Sequence, residues 1–256
     1  MSTWNKELEI AVAAARQAAE LALQYQQGIE VETKPDDSPV TRADRECERL
    51  IAGILTSAFP EDGIFAEEGS RAESRSGRRW IIDPIDGTRD YVRGNPLWAN
   101  LIALEDTGVV VAGVVNVPGL GLTYTASKGG GAFRNGSPIH PSSKTRAGES
   151  VLCFSGFSKL DKLPFRAGLL DWMSQFWAVR ALGGAPDAMM VAAGQAEIFI
   201  EADAKPWDFA PLKVIVEEAG GVYRNLDGGG SIYAGDCVIC APGLEGEVRA
   251  LLGLKG

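Results

Sequence analysis

The chain has 256 residues, enough for one large α/β domain or for two halves that share a core. Hydrophobic residues make up 45% and charged residues 23% of it, as in folded globular proteins and unlike disordered ones. Because 34 acidic residues face 25 basic ones, for a formal charge of -9, no overall positive field would draw the protein to nucleic acid or an anionic membrane. The first segment, MSTWNKELEI, lacks the basic and apolar regions of a signal peptide, and no stretch approaches the roughly 18 apolar residues of a membrane span. We therefore expect a cytoplasmic protein whose ligands are small molecules.

The cysteines and the histidine give little support for redox, zinc or histidine chemistry. The four cysteines are too few for a disulfide framework, and Cys237 and Cys240 fall in a strand-like run that directs their side chains to opposite faces. The single histidine, His140, lies in a loop rich in proline and serine. Mechanisms that need a central histidine or several histidine ligands are therefore disfavoured.

Helix and strand patterns divide the chain at the polar stretch 135–149. Before it, helical spacing predicts helices over 4–27, with a packing face of Leu8, Val12, Ala15, Ala19 and Leu23, and over 41–58, ending before Pro60. Strand patterns follow, and they predict an antiparallel sheet with helices on one side. These strands are expected over 64–66, 80–83, 99–105, 109–117 and 122–127.

Beyond the polar stretch, strands and helices alternate in the manner of a mixed α/β layer. Strands are expected over 151–154, 176–181 and 196–200, with short strands up to 240, and helices near 165–175 and over 186–193 and 209–219. We therefore predict an N-terminal part, 1–140, of helices and antiparallel sheet, and a C-terminal α/β part, 141–256.

The most informative segment is WIIDPIDGT, which ends at Thr88. A strand delivers Asp83, Pro84 enforces an extended turn, and Asp86 opens a segment whose backbone amides are free. Two carboxylates on either side of a turn can converge on hard cations, while the Gly87 and Thr88 amides can face an anion. Asp-Gly is also a common turn and Asp a common helix cap, so the spacing alone leaves both interpretations open.

Three further acidic residues stand at the ends of predicted elements. Glu67 follows a short strand, Asp208 opens a helix, and Asp44 lies in the first turn of another helix in a capping-box pattern. Each has an ordinary structural explanation when it is taken alone. Together with Asp83 and Asp86 they would be costly to bury, because few basic residues neighbour them in sequence. A shared bound cation is therefore the favoured interpretation.

In these segments the chain resembles the inositol monophosphatase family of Mg-dependent, lithium-sensitive phosphatases. The matching strings are PVTRAD at 39–44, FAEE at 65–68, WIIDPIDGT at 80–88, KPWD at 205–208 and VEEAGG at 216–221. They occur in the family's order and at its spacing, over nearly the whole chain. The resemblance implies an α/β (α+β) fold, a layered αβαβα sandwich, with metals where the sheet of 64–134 meets the C-terminal half. Residues 1–140 would then carry most metal ligands, and 141–256 would complete the active site.

The resemblance also implies a role for each matched residue. Two or three Mg²⁺ ions would be bound by Glu67, Asp83, Asp86, Asp208 and the backbone carbonyl of Ile85. Catalysis would involve Asp44 and Thr88, which orient and deprotonate the attacking water, together with Glu67, and Lys34 would lie near the mouth. Substrate would be met by Asp86, Gly87, Thr88, Gly183, Gly184, Glu201 and Asp208, with the Gly87 and Thr88 amides on the phosphate. No protein nucleophile is then needed.

The resemblance leaves the substrate open. Glu201 matches a position that resembles the sugar-hydroxyl ligand of inositol phosphatases. The loop LGGAP at 182–186 looks one residue shorter than in those enzymes and, with the segment 90–104, is more similar to the histidinol-phosphate phosphatases of the family. Where we would expect an acid after Gly183 to meet a substrate ammonium, the chain has Gly184, and the nearest acids in sequence are Asp187 and Glu201. Inositol monophosphate and histidinol phosphate are both candidates, and a related sugar or nucleotide phosphatase is an alternative.

A different class of function is an interaction or regulatory protein that keeps the phosphatase fold and has weak or secondary activity. The intact set of acids favours catalysis, because binding alone gives no reason to keep it. Family members are commonly homodimers, and the apolar pairs at 97–98 and 176–177 could supply an interface or simply core. We therefore expect a homodimer that acts on a small phosphorylated substrate, without nucleic acid or membrane as a partner.

Overall fold

The computed structural model describes residues 4–35 and 37–254. The helices are α1 Asn5–Tyr25, α2 Arg42–Ala58, α3 Thr88–Val92, α4 Leu169–Met173, α5 Gly184–Ala192, α6 Pro206–Ala219 and α7 Glu245–Leu251. The strands are β1 Val31–Thr33, β2 Pro39–Thr41, β3 Gly63–Ala66, β4 Arg71–Ala72, β5 Arg78–Asp86, β6 Ala99–Asp106, β7 Val109–Val117, β8 Leu122–Ser127, β9 Gly131–Arg134, β10 Ser137–Pro138, β11 Val151–Phe154, β12 Ala178–Arg180, β13 Ile198–Ala202, β14 Val222–Arg224 and β15 Asp236–Cys240. No helix in this part of the chain is long and apolar enough to cross a membrane.

The larger sheet has eight strands in the order β10-β9-β8-β7-β6-β5-β3-β4. Its pairings are antiparallel except for β3 with β5, which run parallel. One face packs on α1 and α2 through residues such as Trp80 and Ile82, and the other packs on α6 through residues such as Ile81 and Leu101. The prediction of helices on one side was therefore wrong. Alternate residues of β5 are apolar on both faces, so each face needs its own helical cover.

The smaller sheet has five strands in the order β12-β11-β13-β15-β14. Its face toward α5 and α6 shares their core, and its other face packs on α4 and α7. The molecule is thus built as helix, sheet, helix, sheet and helix layers, which confirms the predicted αβαβα sandwich. Cys237 belongs to the first of these cores and Cys240 to the second, so the two thiols point to opposite faces as the alternation indicated.

Several local predictions need correction. The buried face of α1 includes the predicted Ala15 and Ala19 and also Ala14, Ala18 and Ala22, whereas Leu23 is 45% exposed. Small side chains let α1 approach α2 and the sheet closely, so the larger residues lie at the edge of the contact. Near 165–175 only Leu169–Met173 is α-helical. The division of the chain into two parts at 140/141 stays a prediction. In the structure, α6 from the second part packs directly on β6 and β7 of the first.

The segment before α2 is a small hairpin of β1 and β2 that the sequence did not predict. Asp36, which falls between β1 and β2 in sequence, lies outside the described residues. The hairpin places Lys34 next to the end of β3, where the candidate site begins. Of the apolar pairs named as core or interface, Trp98 and Phe176 are buried, while Trp177 is 71% exposed.

Candidate active site

A cavity of about 280 Å³ opens between the two sheets, where β3 and β5 of the larger sheet end beside α3, α5, α6 and β13. The sequence-predicted residues that line it are Glu67, Asp83, Ile85, Asp86, Gly87, Thr88, Gly183, Gly184, Glu201 and Asp208. The structure therefore brings together the candidate metal and substrate residues from segments far apart in sequence. Asp44 does not line the cavity but contacts it through Thr88.

Asp83, Asp86 and Asp208 form the centre of the site. One carboxylate oxygen from each lies within 4.8 Å of the others. The strand β5 continues through Pro84 to Asp86, with an irregular register between Asp83 and Asp86, so the predicted turn is in fact a bulge inside the strand. The bulge removes the strict alternation of faces and lets both aspartates reach the same cavity.

Backbone amides orient each of these carboxylates. Asp83 Oδ1 accepts a hydrogen bond from the Ile85 amide at 2.9 Å, and Asp86 Oδ2 accepts one from the Ala185 amide at 3.0 Å. Asp208 stands in the first turn of α6, where Oδ2 accepts from the Lys205 amide at 2.6 Å. These bonds leave other carboxylate oxygens free to face the cavity.

Burial raises the pKa of these carboxyl groups, and their mutual repulsion raises it further. The pKa of Asp208 rises to about 7, because the group is desolvated and lies near Asp86. Desolvation likewise raises the pKa of Asp86 to about 6. Asp83 is fully buried, and desolvation together with the charges of Glu67 and Asp208 holds its pKa well above the usual range. Without a cation, the cluster therefore holds protons that solvent-exposed aspartates would have lost.

Glu67 joins the cluster from the end of β3. The Lys34 ammonium donates to Glu67 Oε1 at 2.8 Å and to Glu68 Oε1 at 2.5 Å, so the hairpin supplies one positive charge at the mouth. The buried Glu48 of α2 holds the same turn from below, since its two oxygens accept the amides of Glu68 and Ser70. Glu48 was not predicted from the sequence as a site residue. It follows Asp44 by four residues, and this helical spacing indicates that the two lie on the same face of α2.

Asp44 and Thr88 form a pair beside the cluster. Thr88 Oγ1 lies 3.1 Å from Asp44 Oδ1 and 3.2 Å from the Ile85 carbonyl oxygen. Asp44 Oδ2 accepts from both the amide and the hydroxyl of Thr41, which completes the predicted capping box. Asp44 is thus a helix cap and a partner of Thr88 at once. Burial raises its pKa above the usual value, whereas the bonds from Thr41 and Thr88 lower it.

The far end of the cavity is formed by Gly183, Gly184, Ser155, Asp90 and Glu201. Ser155 follows β11 and Glu201 is the last residue but one of β13, and the two strands run parallel, so their carboxyl ends meet at the same edge. That rule could have identified Ser155 from the sequence. Desolvation and the nearby aspartates raise the pKa of Glu201 to about 8.

Asp187, named from the sequence as a candidate for meeting a substrate ammonium, does not line the cavity. Its Oδ2 accepts the amides of Leu182 and Gly183, both at 2.9 Å, and the side chain is fully buried. It holds the loop in shape, and that part of the expectation was wrong. Besides Asp86, the carboxylate that does face this loop is that of Asp90, which was not among the residues predicted from the sequence.

The donor set fits hard divalent cations. Carboxylate and carbonyl oxygens are the preferred ligands of Mg²⁺, and no sulfur or imidazole ligand lines the cavity among the described residues. Lys34 is the one described side chain that forms an ion pair with a residue of the cluster, through Glu67. Several buried carboxylates therefore remain uncompensated, and bound cations would remove that cost.

Fold and site together define a phosphatase-type acidic centre between two sheets. The chain belongs to the inositol monophosphatase family, whose model matches residues 4–252. It is 40% identical over 252 residues to a protein of Chlorobaculum parvum named histidinol-phosphatase, covering 94% of each chain. It is 32% identical to a protein of Neisseria meningitidis serogroup B named putative Nus factor SuhB, covering 97% of this chain and 98% of that one. The solved structure of an IMPase from Thermotoga maritima matches with a TM-score of 0.88 at 30% identity, covering 97% of each chain.

Proposed function

We propose that the protein is a Mg²⁺-dependent phosphatase that hydrolyses a small phosphomonoester, with histidinol phosphate as the leading substrate. The observation that carries the proposal is the cluster of Asp83, Asp86 and Asp208, in which Asp83 is buried, the other two are half-buried, and one oxygen of each lies within 4.8 Å of the others. Its carboxylates, far more numerous than the basic residues beside them, have little purpose unless cations bind there.

In this proposal Glu67, Asp83, Asp86, Asp208 and the Ile85 carbonyl hold two or three Mg²⁺ ions. When bound, Mg²⁺ supplies charge for the phosphoryl oxygens and lowers the pKa of water in the site. The five donors come from the ends of β3 and β5 and the start of α6, so the relative position of two sheets and a helix sets their geometry.

The protein's own residues handle the attacking water. The Thr88 hydroxyl lies within hydrogen-bond distance of both Asp44 and the Ile85 carbonyl. No described basic residue forms an ion pair with Asp44. A water that donates to Thr88 Oγ1 can therefore pass a proton toward Asp44 through the hydroxyl. The amides of Gly87 and Thr88 begin α3 at the cavity wall and provide donors for the phosphate.

For the substrate, two supports favour histidinol phosphate. The relative from Chlorobaculum parvum carries that activity in its name. The far end of the cavity, where the alcohol part of the substrate would lie, also carries the acidic side chains of Asp90 and Glu201, which suit a cationic substrate. We call it the alcohol end. Inositol monophosphate is the second candidate, because the Thermotoga maritima structure is named as an IMPase and Glu201 occupies the position expected of a hydroxyl ligand.

A regulatory protein that only keeps the fold is the competing class, and the name of the Neisseria meningitidis relative raises it. The acid set, with Asp44 and Thr88 within hydrogen-bond distance of each other, supports catalysis instead.

We also propose a cytoplasmic homodimer; the exposed apolar Trp177 and Leu170 on the C-terminal half are consistent with an interface. Light scattering of the purified protein measures its mass directly.

The decisive experiment is phosphate release from histidinol phosphate, inositol monophosphate, fructose bisphosphate and adenosine 3′,5′-bisphosphate. The assays are run with Mg²⁺, with chelator, and with the Asp83→Asn variant. The proposal expects Mg²⁺-dependent release that the variant abolishes, with histidinol phosphate preferred. Turnover that survives exhaustive chelation, or no turnover on any ester, would refute it.

A further inference from the structure

The far end of the cavity carries two carboxylates that the metal cluster does not use. Asp90, on α3, is half-buried, and its Oδ1 accepts a hydrogen bond from Asn95 Nδ2 at 2.5 Å. The Asn95 amide also donates to the Asp90 carbonyl at 2.9 Å, so the side chain stands on a fixed turn. Its Oδ2 lies 3.6 Å from the place where a β-carbon on Gly183 would stand. This oxygen therefore faces the loop at the alcohol end of the cavity.

Glu201 faces the same space from β13. Its Oε2 atom is buried and has no hydrogen-bond partner among the described residues, although the side chain also bonds to Ser155. A buried carboxylate oxygen without a partner is costly, and native proteins usually satisfy it with a ligand or a water. It is an observation, independent of Asp90, that this end of the cavity offers an acceptor to a ligand.

Two carboxylates call for a positive partner, and the described residues do not provide one. No described basic residue forms an ion pair with Asp90; Arg89 also lines the cavity, but its side chain is exposed. Gly184 brings no side chain, so the loop itself adds no charge opposite. An ammonium group is compact and has three donors, and can therefore bind more than one carboxylate oxygen, whereas a neutral hydroxyl leaves the charge uncompensated.

We propose that Asp90, which lines the same cavity as Glu201 and stands next to Gly183, is a specificity-determining residue that selects phosphate esters of amino alcohols by binding their ammonium group. This inference rests on the proposed phosphatase function. The acid that the loop lacks at Gly184 is supplied instead by α3. Because Asp90 follows the cluster residue Asp86 by four residues, one short segment positions both the phosphate and the ammonium ends of the substrate.

The test compares two esters that differ only in the amine: histidinol phosphate and its analogue without the amino group. Asp90→Asn removes the charge and keeps the shape, and Asp171→Asn, at an exposed position outside the cavity, changes the net charge equally. We expect Asp90→Asn to lower kcat/KM for the amino ester about tenfold or more, mainly through KM, since charge-assisted hydrogen bonds have that magnitude. The amine-free ester should be hydrolysed equally by all three proteins.

The outcomes are separable. If the wild type prefers neither ester, or if Asp90→Asn slows both equally, the inference is overturned while the phosphatase assignment stands. If the wild type hydrolyses no phosphomonoester, the proposed function fails, and calorimetric titration with histidinol decides the inference. Binding to the wild type that weakens in Asp90→Asn but not in Asp171→Asn supports it, and equal binding to all three overturns it.

Discussion

Thr88 Oγ1 lies 3.1 Å from Asp44 Oδ1, although the two residues belong to different helices and are 44 positions apart in the chain. Asp44 is fixed by its cap on Thr41, and Thr88 begins α3 directly after the bulged strand β5. The capping interaction of α2 therefore also orients the hydroxyl that lines the cavity. Helix capping and, in the proposed mechanism, water activation depend on the same carboxylate.

This pairing predicts that Thr88→Ala lowers kcat by about two to four orders of magnitude, the usual range for a lost general acid-base relay. Thr88→Ser, which keeps the hydroxyl, should retain most of the activity. Steady-state kinetics with saturating Mg²⁺ measure both. If Thr88 and Asp44 act as one unit, the double variant with Asp44→Asn should lose no more than the worse single variant. Losses that multiply would show that they act separately.

The cluster predicts opposite effects of Asp208→Asn on activity and on stability. Removing this ligand should weaken Mg²⁺ binding and lower kcat by orders of magnitude. In chelator, however, the variant should be more stable than the wild type, because a buried carboxylate beside Asp86 has been removed. Thermal unfolding measures this, with about 2–4 °C expected for each kcal/mol. The stabilisation by added Mg²⁺ should be smaller in the variant; an unchanged Mg²⁺ shift would contradict its role as a ligand.

The same pKa shifts predict how stability depends on pH in the absence of metal. The pKa values of Asp86, Asp208 and Glu201 rise to about 6, 7 and 8, so between their unfolded values near 4 and these values the folded state holds more protons than the unfolded state. The free energy of unfolding that these extra protons contribute is fully present below about pH 4. It is lost as the pH rises to about 8, at about 1.4 kcal/mol per pH unit for each extra proton.

Denaturant unfolding in chelator at pH 5 to 8.5 checks that prediction. The slope should be shallower for Asp208→Asn, which lacks one of the titrating groups, and saturating Mg²⁺ should flatten it in the wild type, since cations replace the protons. A wild-type slope that Asp208→Asn leaves unchanged would show that the cluster is not its source.

Glu48 is predicted to act on metal binding without touching metal. Its two oxygens accept the amides of Glu68 and Ser70. Glu48→Gln has one oxygen and one amide group, so one of these two amides loses its acceptor, at a cost of about 1–3 kcal/mol. We expect weaker Mg²⁺ binding by calorimetry because the turn that carries Glu67 loosens. Glu46→Gln, whose partner is the exposed Arg49, is the control, and Mg²⁺ affinity equal in both variants would contradict this role.

The sequence was sufficient to place each acid at the end of a predicted element, whereas the order of the layers followed from the resemblance to the family and not from the helix and strand patterns. It was not sufficient for the packing of α6 on the larger sheet, since apolar residues on both faces of a strand do not say which helix covers which face. The sequence predicted a turn at Pro84 where the structure has a bulge. The hydrogen bonds that β6 makes with β5 on both sides of Pro84 keep the chain in the sheet, and the residues around the proline do not reveal them.

Next to the loop at 182–186, the sequence suggested Asp187, which does not line the cavity, for a similar reason. Asp187 is close to the loop in sequence, but the first turn of α5 directs it toward the amides of Leu182 and Gly183. Asp90 is far from the loop in sequence, and the fold brings its Oδ2 next to Gly183. Such contacts depend on the assembly of the two sheets, which no local pattern encodes.

Gly184 tests how closely the loop must approach the cluster. Its φ of +46° lies in the left-handed region, and a β-carbon there would stand 2.8 Å from Asp86 Oδ2. Gly184→Ala should therefore cost about 1–3 kcal/mol in backbone strain. It should also displace Asp86 and so lower Mg²⁺ affinity and kcat together.

Gly121→Ala is the matched control, because Gly121 has a φ of +64° and nothing within 4 Å of its β-carbon position. Thermal unfolding should show a similar loss of stability in both variants, while Mg²⁺ titration of activity should change only in Gly184→Ala. If both variants kept the wild-type Mg²⁺ dependence, the close approach of this loop to Asp86 would have no part in shaping the metal site.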